Sequence, residues 1–296
     1  MTDATASHSD AESRLTRTVR AIFTFALRKP LGAAGLVIIA IFGVLAIGAP
    51  WLAPLDPFQI NPGALLAPPS PQYWLGTDEF GRDIMSRIIW GARVSMFVGL
   101  MAVAIGSTLG AVLGLVGGYL GGVVDDIIQR IVEVLLAFPM LVLALAMVAA
   151  LGSSTWNVIM ALAVVLAPNA ARVVRSSVLT IRERPFVEAA RNMGLSDRRI
   201  LFRHILPNCV APFIITATAG IGTTILSEAS LSFLGLGTPP PTPSWGAMLS
   251  NNMHSYMVEA PWMALAPGIA LTLVVFGFNF LGDALRDVLD PKLRAG

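Results

Sequence analysis

The densest polar and basic stretch of this sequence is the polar run, residues 184–208, in a chain that is otherwise apolar over long distances. Pro185 suits the first turn of a helix, because its missing N–H would have no intrahelical partner there. Gly194 suits the position just past a helix end, where a residue without Cβ adopts the left-handed conformation freely. Ser196 is a good N-cap for a second helix, which Pro207 is expected to end. The pattern predicts a helix, a glycine turn and a second helix.

The first helix of this run is predicted to have one apolar face. Apolar side chains recur on one face of its first helix at i, i+3, i+4 and i+7: Phe186, Ala189, Ala190 and Met193. Glu188 lies off that face, where it can pair with a basic residue of a partner. It can also pair locally with Arg184 or Arg191, a contact worth only about 0.2–0.5 kcal/mol. A plainer alternative is a basic loop that merely sets membrane orientation.

Residues able to carry catalysis or to bind a metal are scarce and scattered. One cysteine, Cys209, excludes an intramolecular disulfide and a cysteine-built metal site. The three histidines show no ligand or triad spacing. Neither of the two lysines, Lys29 and Lys292, ends a phosphate-binding loop. We therefore expect no enzymatic activity and no cofactor on this chain.

Composition indicates a membrane protein. The 296 residues are 55% hydrophobic and only 13% charged, whereas soluble domains carry about 25% charged residues. The mean hydropathy is +0.73 and the isoelectric point is near 9.0. The charges lie in short segments between apolar runs and not on one basic face, which argues against a nucleic-acid partner.

Apolar runs predict an all-α membrane protein with six transmembrane helices. The first run is long enough for the ~20 residues that a bilayer core requires. An uncharged stretch at 134–171 is too long for one span, and the Gly-Ser-Ser-Thr sequence at 152–155 is the obvious break. The spans are predicted at 31–52, 94–120, 134–151, 156–171, 210–226 and 261–281.

The remaining segments follow from these spans. A cytoplasmic tail with an interfacial amphipathic helix at 1–30 precedes a membrane domain at 31–296, although a disordered basic tail is the alternative for 1–30. Within the membrane domain we expect an outer segment at 53–93, a cytoplasmic loop at 172–208 and an outer loop at 229–260. The glycine-rich run at 114–122 contains no basic residue, and its glycines favour close packing of helices in lipid.

Positive charge predicts the orientation. Six spans put both termini on one side, together with the polar run, and the positive-inside rule makes that side cytoplasmic. Arg82, Arg87 and Arg93 are exceptions on the outer side. The acidic neighbours Asp78, Glu79 and Asp83 can pair with them, and direct contact with an anionic substrate is the alternative.

The polar run resembles the cytoplasmic EAA loop of permease subunits of ATP-binding-cassette importers. That family pattern is Glu-Ala-Ala, three residues, Gly, nine residues and an apolar-x-Leu-Pro ending. The matching positions are Glu188, Ala189, Ala190, Gly194, Leu206 and Pro207. His204 departs from the pattern, because it stands where the family has an apolar residue. Segments at 75–95, 231–246 and 282–294 resemble the dipeptide, oligopeptide and nickel branch, and the proline-rich 49–57 resembles its second, C-type permease.

This resemblance implies the type I importer permease fold, with both termini cytoplasmic, in the bacterial inner membrane. It implies a second permease, two ATPase subunits that bind ATP and Mg²⁺, and an extracytoplasmic substrate-binding protein as partners. The implied role of the first short helix is to dock into a groove on an ATPase subunit. The residues that would couple transport to ATP hydrolysis are Phe186, Glu188, Ala189, Ala190, Met193 and Gly194.

Polar residues at membrane depth are costly and often functional, which makes Glu228 and Asn279 candidates for the transport pathway, with Arg93. Hydrogen bonding between helices is the alternative for Asn279, and an interfacial position for Glu228. An ion-coupled secondary transporter is the alternative function. Its spans should often contain ionisable residues, whereas the spans predicted here are nearly free of charge.

Overall fold

The computed structural model of the chain describes residues 29–253 and 256–289. The amphipathic helix predicted within 1–30 therefore lies outside the described residues, apart from the last two positions of that range. The helices are α1 (Pro30–Ile47), α2 (Ala49–Leu52), α3 (Ile84–Leu120), α4 (Gly122–Leu136), α5 (Met140–Leu151), α6 (Thr155–Arg182), α7 (Pro185–Asn192), α8 (Asp197–Ile200), α9 (Leu206–Phe233), α10 (Trp245–Met253) and α11 (Trp262–Leu289). A 3₁₀ turn spans Pro62–Ala64 and a π-helical turn spans Leu201–Ile205.

Helices long and apolar enough to cross a membrane number five in the described part of the chain. They are α1, α3, α6, α11 and the continuous helix Asp197–Phe233, which joins α8, the π-helical turn and α9. The pair α4 and α5 meets the same test together, although the two helices are bent by 92° at their break. Counting this pair as one crossing gives the six predicted spans, and the predicted all-α fold is confirmed.

The third span, predicted at 134–151, begins earlier than that range and is broken at Pro139. Helix α4 ends at Leu136, and α5 begins only at Met140, after Pro139 in an extended conformation. Proline disfavours a helical conformation at the residue before it and supplies no N–H to the helix, which explains the break. A helix of 12 residues is about 18 Å long, shorter than the ~30 Å bilayer core, so α5 alone does not span.

The prediction that Pro207 ends the second helix of the polar run is wrong. The helix continues to Phe233, because the π-helical turn before Leu206 resets the hydrogen-bond ladder. Pro207 then stands in the first turn of α9, where no N–H is needed. The polar run thus leads directly into a membrane-spanning helix without an intervening loop.

Helices α3 and α6 pack closely along a stripe of glycines. Each glycine of the stripe lies four residues after the previous one and faces α6: Gly106, Gly110, Gly114 and Gly118. A Cβ on Gly110 would collide with the Ala167 carbonyl oxygen, and a Cβ on Gly114 with that of Ala171. The glycines therefore permit backbone contact between the two helices. Gly114 and Gly118 belong to the run 114–122, for which such packing is predicted, whereas Gly106 and Gly110 precede it.

The polar run lies at one end of the helix bundle, and both described ends of the chain lie near it. Lys29, just before α1, pairs with Asp287 near the end of α11 at 2.5 Å. Asn208 and Arg286 line one cavity of about 620 Å³ between α9 and α11. Both described ends of the chain therefore lie at the same end of the bundle as the polar run.

Candidate functional site

The polar run contains the predicted helix and glycine turn. Helix α7 ends in two reverse hydrogen bonds, from Gly194 N to the Arg191 oxygen at 2.8 Å and from Leu195 N to the Ala190 oxygen at 3.2 Å. This is a Schellman motif, in which the residue after the helix adopts a left-handed conformation. Gly194 has φ +75°, and no atom lies within 4 Å of the place that its Cβ would take. Glycine is thus favoured at 194 by the backbone conformation and not by lack of space.

Two different faces of α7 carry its apolar side chains. Val187 and Ala190 are buried, with 0% and 1% exposure. Phe186 and Met193 are exposed by 45% and 72%, and Ala189 is exposed as well. The single apolar face predicted from spacing is therefore divided, because Ala190 contacts its own chain. We call the outward face, with Phe186, Glu188, Ala189 and Met193, the docking face.

The polar run is anchored by an apolar cluster formed with α6 and the start of α9. Leu115 and Tyr119 of α3 pack against this cluster. Its buried members are Val174, Val178, Val187, Ala190, Ile200, Ile205 and Cys209. Cys209 is a small buried residue of this packing. The inner face of α7 is thus committed to holding the polar run on the bundle.

An ion pair joins α4 to α6, and an aromatic contact lies within the polar run. Asp125 of α4 accepts two hydrogen bonds from Arg175 of α6, at 2.6 and 2.5 Å. His204, which departs from the family pattern, is half-buried with its ring 6.3 Å from that of Phe186. The histidine therefore packs beside the docking face, a contact that sequence spacing did not indicate.

The opposite end of the bundle holds a buried ionic network in the outer segment. Arg82 Nε lies 2.7 Å from Asp78 Oδ2, and Arg87 Nε lies 3.5 Å from the same oxygen. Arg82 also approaches Glu79 at 3.6 Å, and burial raises the pKa of that glutamate above its usual value. Asp83 instead caps α3 by accepting a hydrogen bond from Ser86 N at 2.8 Å. The pairing of Arg82 and Arg87 with neighbouring acids is thus observed.

The same segment is tied to distant helices by two tryptophans. Trp262 at the start of α11 donates its indole N–H to the Thr77 oxygen at 3.2 Å. Trp245 of α10 donates to the Ile88 oxygen of α3 at 3.1 Å. The outer segment is therefore a folded element packed on the bundle, although its sequence has no clear periodicity.

The three pathway candidates do not come together in the structure. Glu228 is completely buried in α9, where Ser232 donates to its Oε1 at 2.7 Å and Oε2 has no hydrogen bond of good geometry among the described residues. The amide of Asn279 in α11 packs against Gly222 of α9. Arg93 is exposed on α3. Glu228 is thus enclosed by protein, and Asn279 lies at a contact between two helices.

Potential metal ligands do not cluster. Within residues 29–253 and 256–289, no group of three or more His, Cys, Asp or Glu side chains is arranged to hold a metal ion.

Comparison with known proteins agrees with this architecture. The chain is 47% identical over 268 residues to the dipeptide transport system permease protein DppC of Alkalihalophilus pseudofirmus, covering 90% of this chain and 88% of that protein. It is 48% identical over 257 residues to the glutathione transport system permease protein GsiD of Escherichia coli O1:K1, covering 85% and 83%.

A solved structure of the MetNI methionine ABC transporter in an inward-facing conformation has the same fold. It aligns with a TM-score of 0.51 at 20% identity, covering 69% of this chain and 94% of the matched chain. The predicted type I importer permease fold is therefore confirmed.

Two family models match separate regions of the chain. Residues 23–69 match the N-terminal TM domain of oligopeptide transport permease C. Residues 106–295, more than half of the chain, match the binding-protein-dependent transport system inner membrane component. The chain therefore belongs to the family of binding-protein-dependent transport system inner membrane components.

Proposed function

We propose that this chain is a permease subunit of an ATP-driven importer for peptides or similar small solutes in the bacterial inner membrane. The observation that carries this proposal is the 47% and 48% identity, over 90% and 85% of this chain, to permeases of dipeptide and glutathione transport systems. The chain would form the translocation pathway with a second permease. An extracytoplasmic binding protein would deliver the solute, in keeping with the family's description.

Two separate ATPase subunits would supply the energy. No lysine of this sequence ends a phosphate-binding loop, so ATP and Mg²⁺ would be bound by those partners. The orientation that follows places the polar run and both termini in the cytoplasm. Support for this comes from the described ends of the chain, which meet at the polar-run end through Lys29 and Asp287.

The docking face would enter a groove on an ATPase subunit. Phe186, Ala189 and Met193 offer exposed apolar surface, and Glu188 can pair with a basic residue of the groove. Val187 and Ala190 are buried against the bundle, so a force on the docking face would reach α3 and α6. Closure of the two ATPases around ATP would then move the docked helices together and open the pathway outward.

The pathway itself would lie between the spans of the two permeases. We retain Glu228, Asn279 and Arg93 as candidate pathway residues, since polar groups at membrane depth are often functional. Because Glu228 is buried here, its contact with solute would require α3 and α9 to separate.

The test of the proposed function is reconstitution with the second permease, the ATPase subunits and the binding protein in proteoliposomes. A labelled dipeptide and labelled glutathione are offered in separate assays. Uptake should require ATP and the ATPase subunits, and should persist when ion gradients are collapsed. Uptake driven by an ion gradient without ATPase subunits would instead favour a secondary transporter and overturn the proposal.

The docking face makes a sharp prediction for Phe186→Ala. The side chain is exposed, so the variant should insert normally and keep its thermal stability. Loss of an aromatic anchor from an interface costs about 2 kcal/mol or more, so the affinity for the ATPase subunit should fall about 30-fold. Phe138→Ala removes another exposed phenylalanine, outside the polar run, and should leave the affinity unchanged. Equal affinities for the two variants would exclude Phe186 from docking.

Two substitutions at Gly194 test whether the backbone conformation of the turn matters for coupling. Valine at φ +75° would strain the turn and displace the docking face, whereas asparagine tolerates the left-handed conformation. We expect Gly194→Val to abolish most ATP-dependent uptake and Gly194→Asn to retain it.

Glu188→Arg should leave membrane insertion of the permease intact but weaken its assembly with the ATPase subunits. Normal uptake by Gly194→Val and Glu188→Arg would contradict the coupling role.

A further inference from the structure

The end of α3 is connected to the second helix of the polar run by one tyrosine. Tyr119, the last residue but one of α3, donates its hydroxyl hydrogen to Asp197 Oδ1 at 2.6 Å. The same hydroxyl lies 3.3 Å from the Asp197 backbone oxygen. Asp197 is the first residue of α8. The bond therefore joins two elements that are 78 residues apart in the sequence.

Both ends of this bond are held in place. Gly118, next to Tyr119, accepts a hydrogen bond from Arg182 Nη1 at 3.1 Å, so the end of α3 is tied to the end of α6. On the other side, Ile200 of α8 is buried in the apolar cluster of the polar run. The Tyr119 hydroxyl can thus transmit a displacement between two ordered elements.

The two helices of the polar run are connected to different membrane-spanning helices. Helix α7 follows α6 after only two residues, Glu183 and Arg184, so the backbone itself carries its movement to α6. Helix α8 continues into α9, and its described polar contact with α3 is the Tyr119 bond. Without that bond, α3 would follow the polar run only through apolar packing and through its contacts with α6, the Arg182 hydrogen bond among them.

We infer that Tyr119 is a positioning residue for coupling, whose hydrogen bond to Asp197 makes α3 follow the polar run when an ATPase moves it. This inference rests on the proposed function. Removal of the hydroxyl leaves the docking face and its anchoring cluster unchanged, so the ATPase still binds and hydrolyses ATP. Part of the movement that the ATPase imposes on the polar run then fails to reach α3. As a result, fewer solute molecules are imported per ATP hydrolysed.

The test uses the complete complex in proteoliposomes, with a labelled dipeptide as the solute. Tyr119→Phe and Asp197→Asn each weaken the contact and should raise the number of ATP molecules hydrolysed per dipeptide imported severalfold, because the described polar contact between α8 and α3 is lost or weakened. The double variant should be no worse than the more severe single variant, since both act on one contact. Tyr256→Phe, which removes a hydroxyl at the opposite end of the bundle, should keep the wild-type ratio.

A merely structural role would change other quantities. In Tyr119→Phe the melting temperature of the permease should equal that of wild type. Its affinity for the ATPase should stay within twofold of the wild-type value. An unchanged ratio of ATP to dipeptide in that variant would overturn the positioning role, as would a ratio that changes only together with ATPase affinity. Failure of the proposed function would appear differently, because the wild-type complex would then show no ATP-dependent uptake.

Discussion

Gly110→Ala is expected to destabilise the protein sharply, although it adds only one methyl group. The new Cβ would collide with the Ala167 carbonyl oxygen, and would lie 2.8 Å from the Ala170 Cβ and 2.9 Å from the Ala171 nitrogen. Two of these three atoms are backbone, which cannot rotate away as a flexible side chain can. Helices α3 and α6 would have to separate along the whole glycine stripe.

The expected cost is about 3 kcal/mol, at the upper end of the range for overpacking in a well-packed core. Thermal unfolding in detergent, followed by the fraction of protein that remains monodisperse, measures it. Gly43→Ala is the matched control, because a Cβ on that glycine of α1 would meet nothing within 4 Å. If both variants melted at the same temperature, close backbone contact between α3 and α6 would be contradicted.

Asp78→Ala should release the outer segment from the bundle. Asp78 Oδ2 pairs with both Arg82 and Arg87, and Oδ1 accepts hydrogen bonds from the backbone nitrogens of Phe80 and Arg82, each at 2.9 Å. The two arginine side chains are only 12% and 8% exposed. Removal of the shared carboxylate would leave two largely buried positive charges without their principal partner, at a cost of about 3–5 kcal/mol.

Limited proteolysis measures this effect locally, since cleavage within residues 53–83 should become much faster in the variant. Asp56→Ala is the control, because that exposed aspartate lies in the same segment and accepts a hydrogen bond from Phe58 N at 2.8 Å. Equal protection of the two variants would show that the ionic network does not hold the outer segment.

The glycine stripe also bears on transport. Because α3 and α6 touch through their backbones, the stripe should resist their separation, and the polar run is packed on both helices through its apolar cluster. A small displacement of the docking face can then be transmitted over the length of two spans. Rigid packing of this kind favours transitions between discrete arrangements over gradual deformation.

Local chemistry is what the sequence by itself determined. The left-handed conformation at Gly194, the apolar length of the spans and the absence of a phosphate-binding loop depend only on residues adjacent in the chain. The resemblance of the polar run to the EAA loop rests on spacing within some twenty residues. For these reasons the fold class and the family could be predicted before any contact was known.

Only the tertiary structure decided which of two possible faces each helix presents. Spacing places Ala190 with Phe186 on α7, but packing against Val178 and Ile205 makes Ala190 part of the inner face. Pro207 looked like a helix end, and a π-helical turn upstream made it the start of a span.

The folded outer segment, the burial of Glu228 and the bond from Tyr119 to Asp197 likewise depend on residues far apart in the chain. Thr77 and Trp262, for example, are separated by 185 positions. Such contacts leave no periodic trace in the sequence, because each partner is chosen by the way the helices pack and not by its neighbours in the chain.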